Sequence, residues 1–222
     1  MAKEQVLSII LWVLAAPLSI LSLLLGRFGS ASLQSDLESC LKIAIRFGES
    51  VPGAFVDAVF LAEDHRNKFH PGVDILAVSR AVWVRIHLGQ VQGASTIEQQ
   101  FVRVVTNRHE RTVRRKIREQ ILALMLVQRI SKRHIASAYL AIAFYGSGSV
   151  GLDGLQHKFG KNLSKVPFNQ ALGFVAQLKY PRPSRPTKEW NAKLETRVEA
   201  LRNLRDGTAN KRLQSDAALP RI

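Results

Sequence analysis

RTVRRKIREQILALMLVQRI, residues 111–130, is the most helical stretch of the chain. Val113, Ile117, Ile121 and Leu124 recur at the three-, four- and eight-residue spacings of one helix face. Arg111, Arg115 and Glu119 step by four and share another face, with Lys116 beside them. The reading is a helix over 112–130, apolar on one side and heavily charged on the other. Arg111, Arg114, Arg115, Lys116 and Arg118 crowd like charges unless an anion sits among them, and a di- or triphosphate would relieve that crowding. A solvated charged face with an Arg115–Glu119 pair is the alternative.

Helical periodicity extends in both directions. Ser35 or Asp36 caps a helix through Arg46, and Pro52 starts another that ends at Glu63 and Asp64. Further helices are expected over 74–88, from Ser95, from Ser131 to Phe144, and over 152–159, 168–178 and 188–205. GSGSVG (146–151) reads as a flexible joint, and three prolines bar KYPRPSRP (179–186) from helix and central strand. No long period-two alternation and no repeat is present. The expected architecture is all-α.

The 222 residues suffice for one well-buried domain, and 46% apolar content excludes wholesale disorder. Lys and Arg number 32 against 17 acids, a net charge of +15 that points to an anionic partner. The single cysteine, Cys40, excludes an intrachain disulfide framework and a cysteine-cluster zinc site. Residues 6–25, VLSIILWVLAAPLSILSLLL, carry no charge and are about long enough to cross a bilayer. We read residues 1–28 as a transmembrane signal-anchor rather than a cleaved signal peptide, with Lys3 leaning the N-terminus inward. A linker at 29–36, a domain at 37–206 and a flexible tail at 207–222 complete the division.

Two further stretches carry chemistry. FLAEDHRNKFHPG (60–72) puts Glu63 and Asp64 where an apolar segment ends, which is costly unless the acids are paired or used. His65 and His70, five apart, lie roughly 140° apart on a helix and make a poor metal pair. QGASTIEQQFVR (92–103) offers a glycine, two hydroxyls and two adjacent amides at a loop-to-helix entry, suited to a sugar or phosphate. Ser95 or Thr96 with Glu98 is equally a plain cap.

In order, these stretches resemble the four motifs of the family-51 peptidoglycan glycosyltransferases. Glu63-Asp64 to His70-Pro71-Gly72 fits the first and Gly93-Ala94-Ser95-Thr96-Ile97-Glu98-Gln99-Gln100 the second. Arg115-Lys116-Ile117-Arg118-Glu119, preceded by Arg111, fits the third; Lys132, Ile135, Tyr139 and Leu140 fit the fourth. Arg197 to Leu201 is a faint fifth. The resemblance covers 55–201. The chain departs from the pattern at Asn67, Glu98, Arg103, Ala136 and Ala141, where the family has Phe, Thr, Lys, Leu and Asn.

The resemblance implies a lysozyme-like all-α domain with a small membrane-associated lobe, and the monofunctional form of the family. It implies polymerisation of lipid II with inversion to a β-1,4 linkage, with Glu63 as the base for the acceptor 4-hydroxyl. Arg111, Arg115 and Lys116 would stabilise the diphosphate, Arg103 would bind substrate, and Glu119 would position those cations or a divalent ion. Asp64, Ser95, Thr96, Gln99 and Gln100 would bind substrate. No cofactor is required by it, and Mg or Mn near the diphosphate is left open. The implied partners are lipid II, the nascent glycan, the membrane and other cell-wall synthesis proteins, with no nucleic acid. The implied location is the bacterial cytoplasmic (inner) membrane, crossed once, with the catalytic domain on the periplasmic or extracytoplasmic side. A lysozyme-like lytic enzyme needs carboxylates but no diphosphate cradle, and a non-catalytic polyanion-binding scaffold would be indifferent to Glu63→Gln.

Overall fold

A computed structural model describes residues 2–110 and 112–217, with side chains described over 3–110 and 112–207. The fold is all-α with one two-stranded hairpin. Along the chain run α1 (Ala2–Phe28), α2 (Ala31–Phe47), α3 (Gly53–Glu63), α4 (Ile75–Leu88), α5 (Ile97–Thr106), α6 (Val113–Val127) and α7 (Lys132–Ile142). The hairpin β1 (Phe144–Gly146) and β2 (Ser149–Val150) follows, then α8 (Gly151–Phe159), α9 (Phe168–Val175) and α10 (Lys188–Ala217).

Helix starts are written in short polar side chains. Ser30, Asp74, Thr96, Thr112 and Ser131 each accept a backbone N–H from the first turn of α2, α4, α5, α6 and α7, worth about 1 kcal/mol apiece. The Ser30 cap starts α2 before Ser35, so the expected 29–36 linker shrinks to a break at Gly29–Ser30. The Thr96 cap, not Ser95, starts α5. The expected joint at 146–151 is the hairpin, stitched to the proline-rich loop by Arg182 N–H to Tyr145 O (2.9 Å) and Ser147 N–H to Arg182 O (2.7 Å). Gly146 is required there: at φ +140° a Cβ would lie 2.3 Å from Arg182 N. The tail expected from 207 is helical as far as Ala217.

The core lies where α3, α5, α6, α7 and α9 meet, centred on Phe55, Phe101, Leu122, Leu126, Ile135 and Leu172. Phe159 packs edge-on to both Phe55 and Phe174. Tyr145 is fully buried and donates to Leu140 O at 2.7 Å. Cys40 is buried, and burial pushes its thiol up to about 12, leaving it inert. The apolar stripe expected along α6 enters the core only from Ile121 onward; Val113 is 77% exposed and Ile117 46%. The first two turns of α6 stand clear of the core because their inward face belongs to Lys116 and Glu119.

α1 is long and apolar enough to cross a membrane, with mean hydropathy 2.4. Its inner face, including Leu11, Ala15 and Ser22, is buried against the domain, mainly along α6. Ile9, Trp12, Val13, Leu23 and Leu24 face outward. α4 packs on α1 and leaves Val82, Trp83, Ile86 and Leu88 exposed, which makes it a small apolar lobe beside the domain.

Candidate active site

α5 carries two adjacent amides that serve two different carboxylates. Gln100 reaches Glu63, and Gln99 accepts from Lys116, one of the cations gathered on Glu119.

Glu63 ends α3. Its Oε1 accepts from Arg197 Nη2 at 2.6 Å and its Oε2 from Gln100 Nε2 at 3.3 Å. Gln100 is oriented in turn by the Tyr139 hydroxyl, which donates to its Oε1 at 2.8 Å. Burial pushes the Glu63 carboxyl above its ordinary value, and Arg197, Gln100 and Lys179 only partly offset that. A carboxylate left more basic than usual, yet still partly open, suits proton abstraction from a hydroxyl.

Glu119 is only 2% exposed and holds three cations. Arg103 straddles it, Nε to Oε1 at 2.8 Å and Nη2 to Oε2 at 3.2 Å; Arg115 Nη1 bonds Oε1; Lys116 Nζ stands 3.7 Å from Oε2. Lys116 also donates to Ser95 Oγ (2.9 Å) and Gln99 Oε1 (2.5 Å), and Arg103 Nη2 donates to Ser95 Oγ (3.2 Å). Burial lowers the Lys116 ammonium to about 8, with Arg103 and Arg115 adding to the fall and Glu119 opposing it. One carboxylate among three cations leaves positive charge for an incoming anion. Glu119 thus aims cations and has no free oxygen for substrate.

The remaining predicted residues divide. Asp64 is buried, receives His70 Nε2–H at Oδ1 (3.0 Å) and caps Ile97 N at Oδ2 (3.4 Å). His70 Nδ1 accepts from Gly72 N–H (3.2 Å), which places the ring proton on Nε2. Thr96 is buried and its hydroxyl donates to Gly72 O at 2.7 Å. Asp64 and Thr96 therefore lock the 64–72 loop to α5, at the edge of the cleft they line with Glu63 and Ser95. Gly72 permits the lock: at φ +115° a Cβ would press on Val127 and Ala123 O. Arg111 lies outside the described residues.

Three residues outside the predicted set join the site. Arg197 pairs with Glu63 from α10, Tyr139 orients Gln100 from α7, and Lys132 braces the loop. Lys132 donates to Asn67 O, stands 3.3 Å from His70 Nδ1, and is 3.5 Å from Glu98, whose carboxylate is 1% exposed and without a hydrogen bond. Membership of the fourth and fifth motifs was the available signal for Lys132, Tyr139 and Arg197. Among the described residues no three His, Cys, Asp or Glu side chains converge on a metal position.

The family model described as Transglycosylase matches residues 41–205. The chain is similar to penicillin-binding protein 1B of Haemophilus influenzae, 33% identical over 78% of this chain and 22% of that protein. Penicillin-binding protein 1A of the same organism is 30% identical over 91% of this chain and 26% of its own length. Penicillin-binding protein 1A of Aquifex aeolicus is 31% identical over 70% and 22% respectively. The chain spans about a fifth to a quarter of the length of these relatives. With the matched residues holding both carboxylate clusters, the chain belongs to the transglycosylase family.

Proposed function

We propose that this chain polymerises peptidoglycan glycan strands from lipid II. The observation that carries the reading is the pairing of a basic, largely buried Glu63 with a separate cation cluster, bridged by the adjacent Gln100 and Gln99. Glu63 takes the proton of the acceptor 4-hydroxyl as that oxygen bonds the donor anomeric carbon. The bond from that carbon to the diphosphate breaks, and its electron pair leaves on the undecaprenyl diphosphate. Arg103, Arg115 and Lys116 stabilise the charge that develops there. Attack from the face opposite the leaving group inverts the centre and gives a β-1,4 link. A cradle of three cations serves a diphosphate leaving group and has no task in glycan hydrolysis, which favours synthesis over lysis.

A polyprenyl-carried substrate keeps the reaction at a bilayer surface. In this reading α1 parts from the flank of α6 to cross the bacterial cytoplasmic membrane once, the domain lies on the extracytoplasmic side, and the apolar face of α4 rests on the lipid. The test is polymer formation from labelled lipid II by the full chain in detergent or nanodiscs. Wild type is expected to make polymer, and Glu63→Gln to lose at least about 100-fold in rate with its melting curve unchanged. No polymer from wild type, or near-normal polymerisation by Glu63→Gln, overturns the proposal.

A further inference from the structure

A second groove, of about 680 Å³, opens between the β1–β2 hairpin, α8, the proline-rich loop and the start of α10. Its walls present His157, Lys158, Gln177, Arg182, Trp190 and Asn191, and Phe174 lies at its floor. Three of these are basic or titratable nitrogen groups, and no described Asp or Glu lines it. Among the described residues, the side chains of His157, Lys158, Gln177, Arg182 and Asn191 make no hydrogen bond or ion pair within the chain. A groove walled by so many unspent donors is solvated at rest and suited to a polar ligand.

Trp190 gives that ligand a shape. Its indole Nε1–H donates to Tyr180 O at 3.2 Å, which fixes the ring at its nitrogen, and its backbone N–H donates to Thr187 Oγ1 at 3.2 Å, which anchors the start of α10. A fixed indole beside amides and cations matches a pyranose: the C–H face of the sugar lies on the ring, and hydroxyl and acetamido groups take the amides. Lys158 and Arg182 suit carboxylates carried on a substituted glycan.

The groove is also placed in register with the reaction. Trp190 and Arg197 stand seven positions apart on α10, so they share a face about 10 Å apart along the axis. Arg197 is bonded to Glu63, and Lys179, next to the Tyr180 that holds Trp190, lies within electrostatic reach of Glu63. Trp190 therefore lies two turns of α10 from the residue that bonds the base.

We propose that this groove is a second saccharide subsite, holding the glycan strand at a distance from the bond being made. The inference rests on the glycan-polymerising reading above and adds where the polymer is gripped between additions. A grip of this kind sets strand length without entering the chemical step.

The experiment uses the full chain with labelled lipid II and reads strand length and the initial rate of coupling together. Lys158→Ala with Gln177→Ala removes two side chains that support nothing else, and Trp190→Ala removes the ring. Each is expected to shorten strands about tenfold, the change expected when a ring contact or two hydrogen bonds are lost from a retained strand. The initial rate stays at the wild-type value, and Trp190→Phe restores most of the length. Should Trp190→Ala disturb the Tyr180 loop, seen as a lowered melting point, the double variant carries the test. Wild-type lengths from the double variant and from a folded Trp190→Ala overturn the subsite while leaving the polymerase reading intact. If wild type makes no polymer at all, the parent reading fails and the subsite falls with it.

Discussion

Glu63 and Glu119 are both carboxylates withdrawn from water, and their surroundings assign them opposite work. Glu119 is closed off and sits among Arg103, Arg115 and Lys116. Glu63 has one guanidinium, Arg197, and one amide, Gln100, and burial outweighs them to leave it more basic than usual. Burial by itself makes neither a base nor a clamp. The count of cations delivered by neighbouring helices decides. α5 and α6 supply three to Glu119, and α10 supplies one to Glu63.

Breaking the clamp has the larger effect on the fold. Glu119→Gln takes the buried charge from three partly exposed cations and is expected to cost about 2–3 kcal/mol, measured by denaturant unfolding. Lost stability of under 1 kcal/mol would show that the cluster is less closed than its geometry indicates.

Titration sharpens the comparison next. Lys116 is at about 8, so kcat/KM for lipid II should fall as pH rises through that value and the ammonium is lost. Once bound, the diphosphate adds negative charge beside the ammonium and raises it, so the alkaline limb of kcat should lie at higher pH than that of kcat/KM. Coincident limbs would separate Lys116 from the diphosphate.

The smallest effect belongs to Tyr139→Phe. It removes the hydroxyl that orients Gln100 and leaves Gln100 Oε1 without that donor, at about 1 kcal/mol in transition-state stabilisation. The measurement is kcat/KM against Glu63→Gln in a double-mutant cycle. Additive effects would place Tyr139 outside the network that serves the base.

The all-α fold and most helix starts were legible because caps and periodicity are local properties of the chain. Asp74, Thr112 and Ser131 begin helices where the periodicity changes. The start of α2 was read late because Ser30 caps it and the polar run that follows looks like linker. The hairpin at 144–150 was missed because two- and three-residue strands leave no alternation to find, and Arg182, which bridges to Gly146, is more than thirty positions away. The outward turn of Val113 and Ile117 was hidden too, since periodicity finds an apolar face and does not say what covers it.

The site divides along the same line. Lys116 to Glu119 is one helix turn and could be paired from spacing alone. Arg197 meets Glu63 across 134 positions, a contact only the packing of α10 on α3 creates. Asp64 and Thr96 look like ligand groups in the sequence because capping and ligand binding use the same side chains. Their bonds to His70, Ile97 and Gly72, which join residues far apart in the chain, were not readable from spacing.

The most direct test of the central claim, that burial tunes Glu63 as the base, is the acid limb of kcat/KM for lipid II polymerisation in wild type and Arg197→Gln. Arg197 lowers the Glu63 carboxyl against a larger rise from burial. The account predicts a wild-type limb above the ordinary carboxylate range and a limb moved to still higher pH in Arg197→Gln. A wild-type limb at ordinary carboxylate values, or one that Arg197→Gln leaves in place, would contradict it.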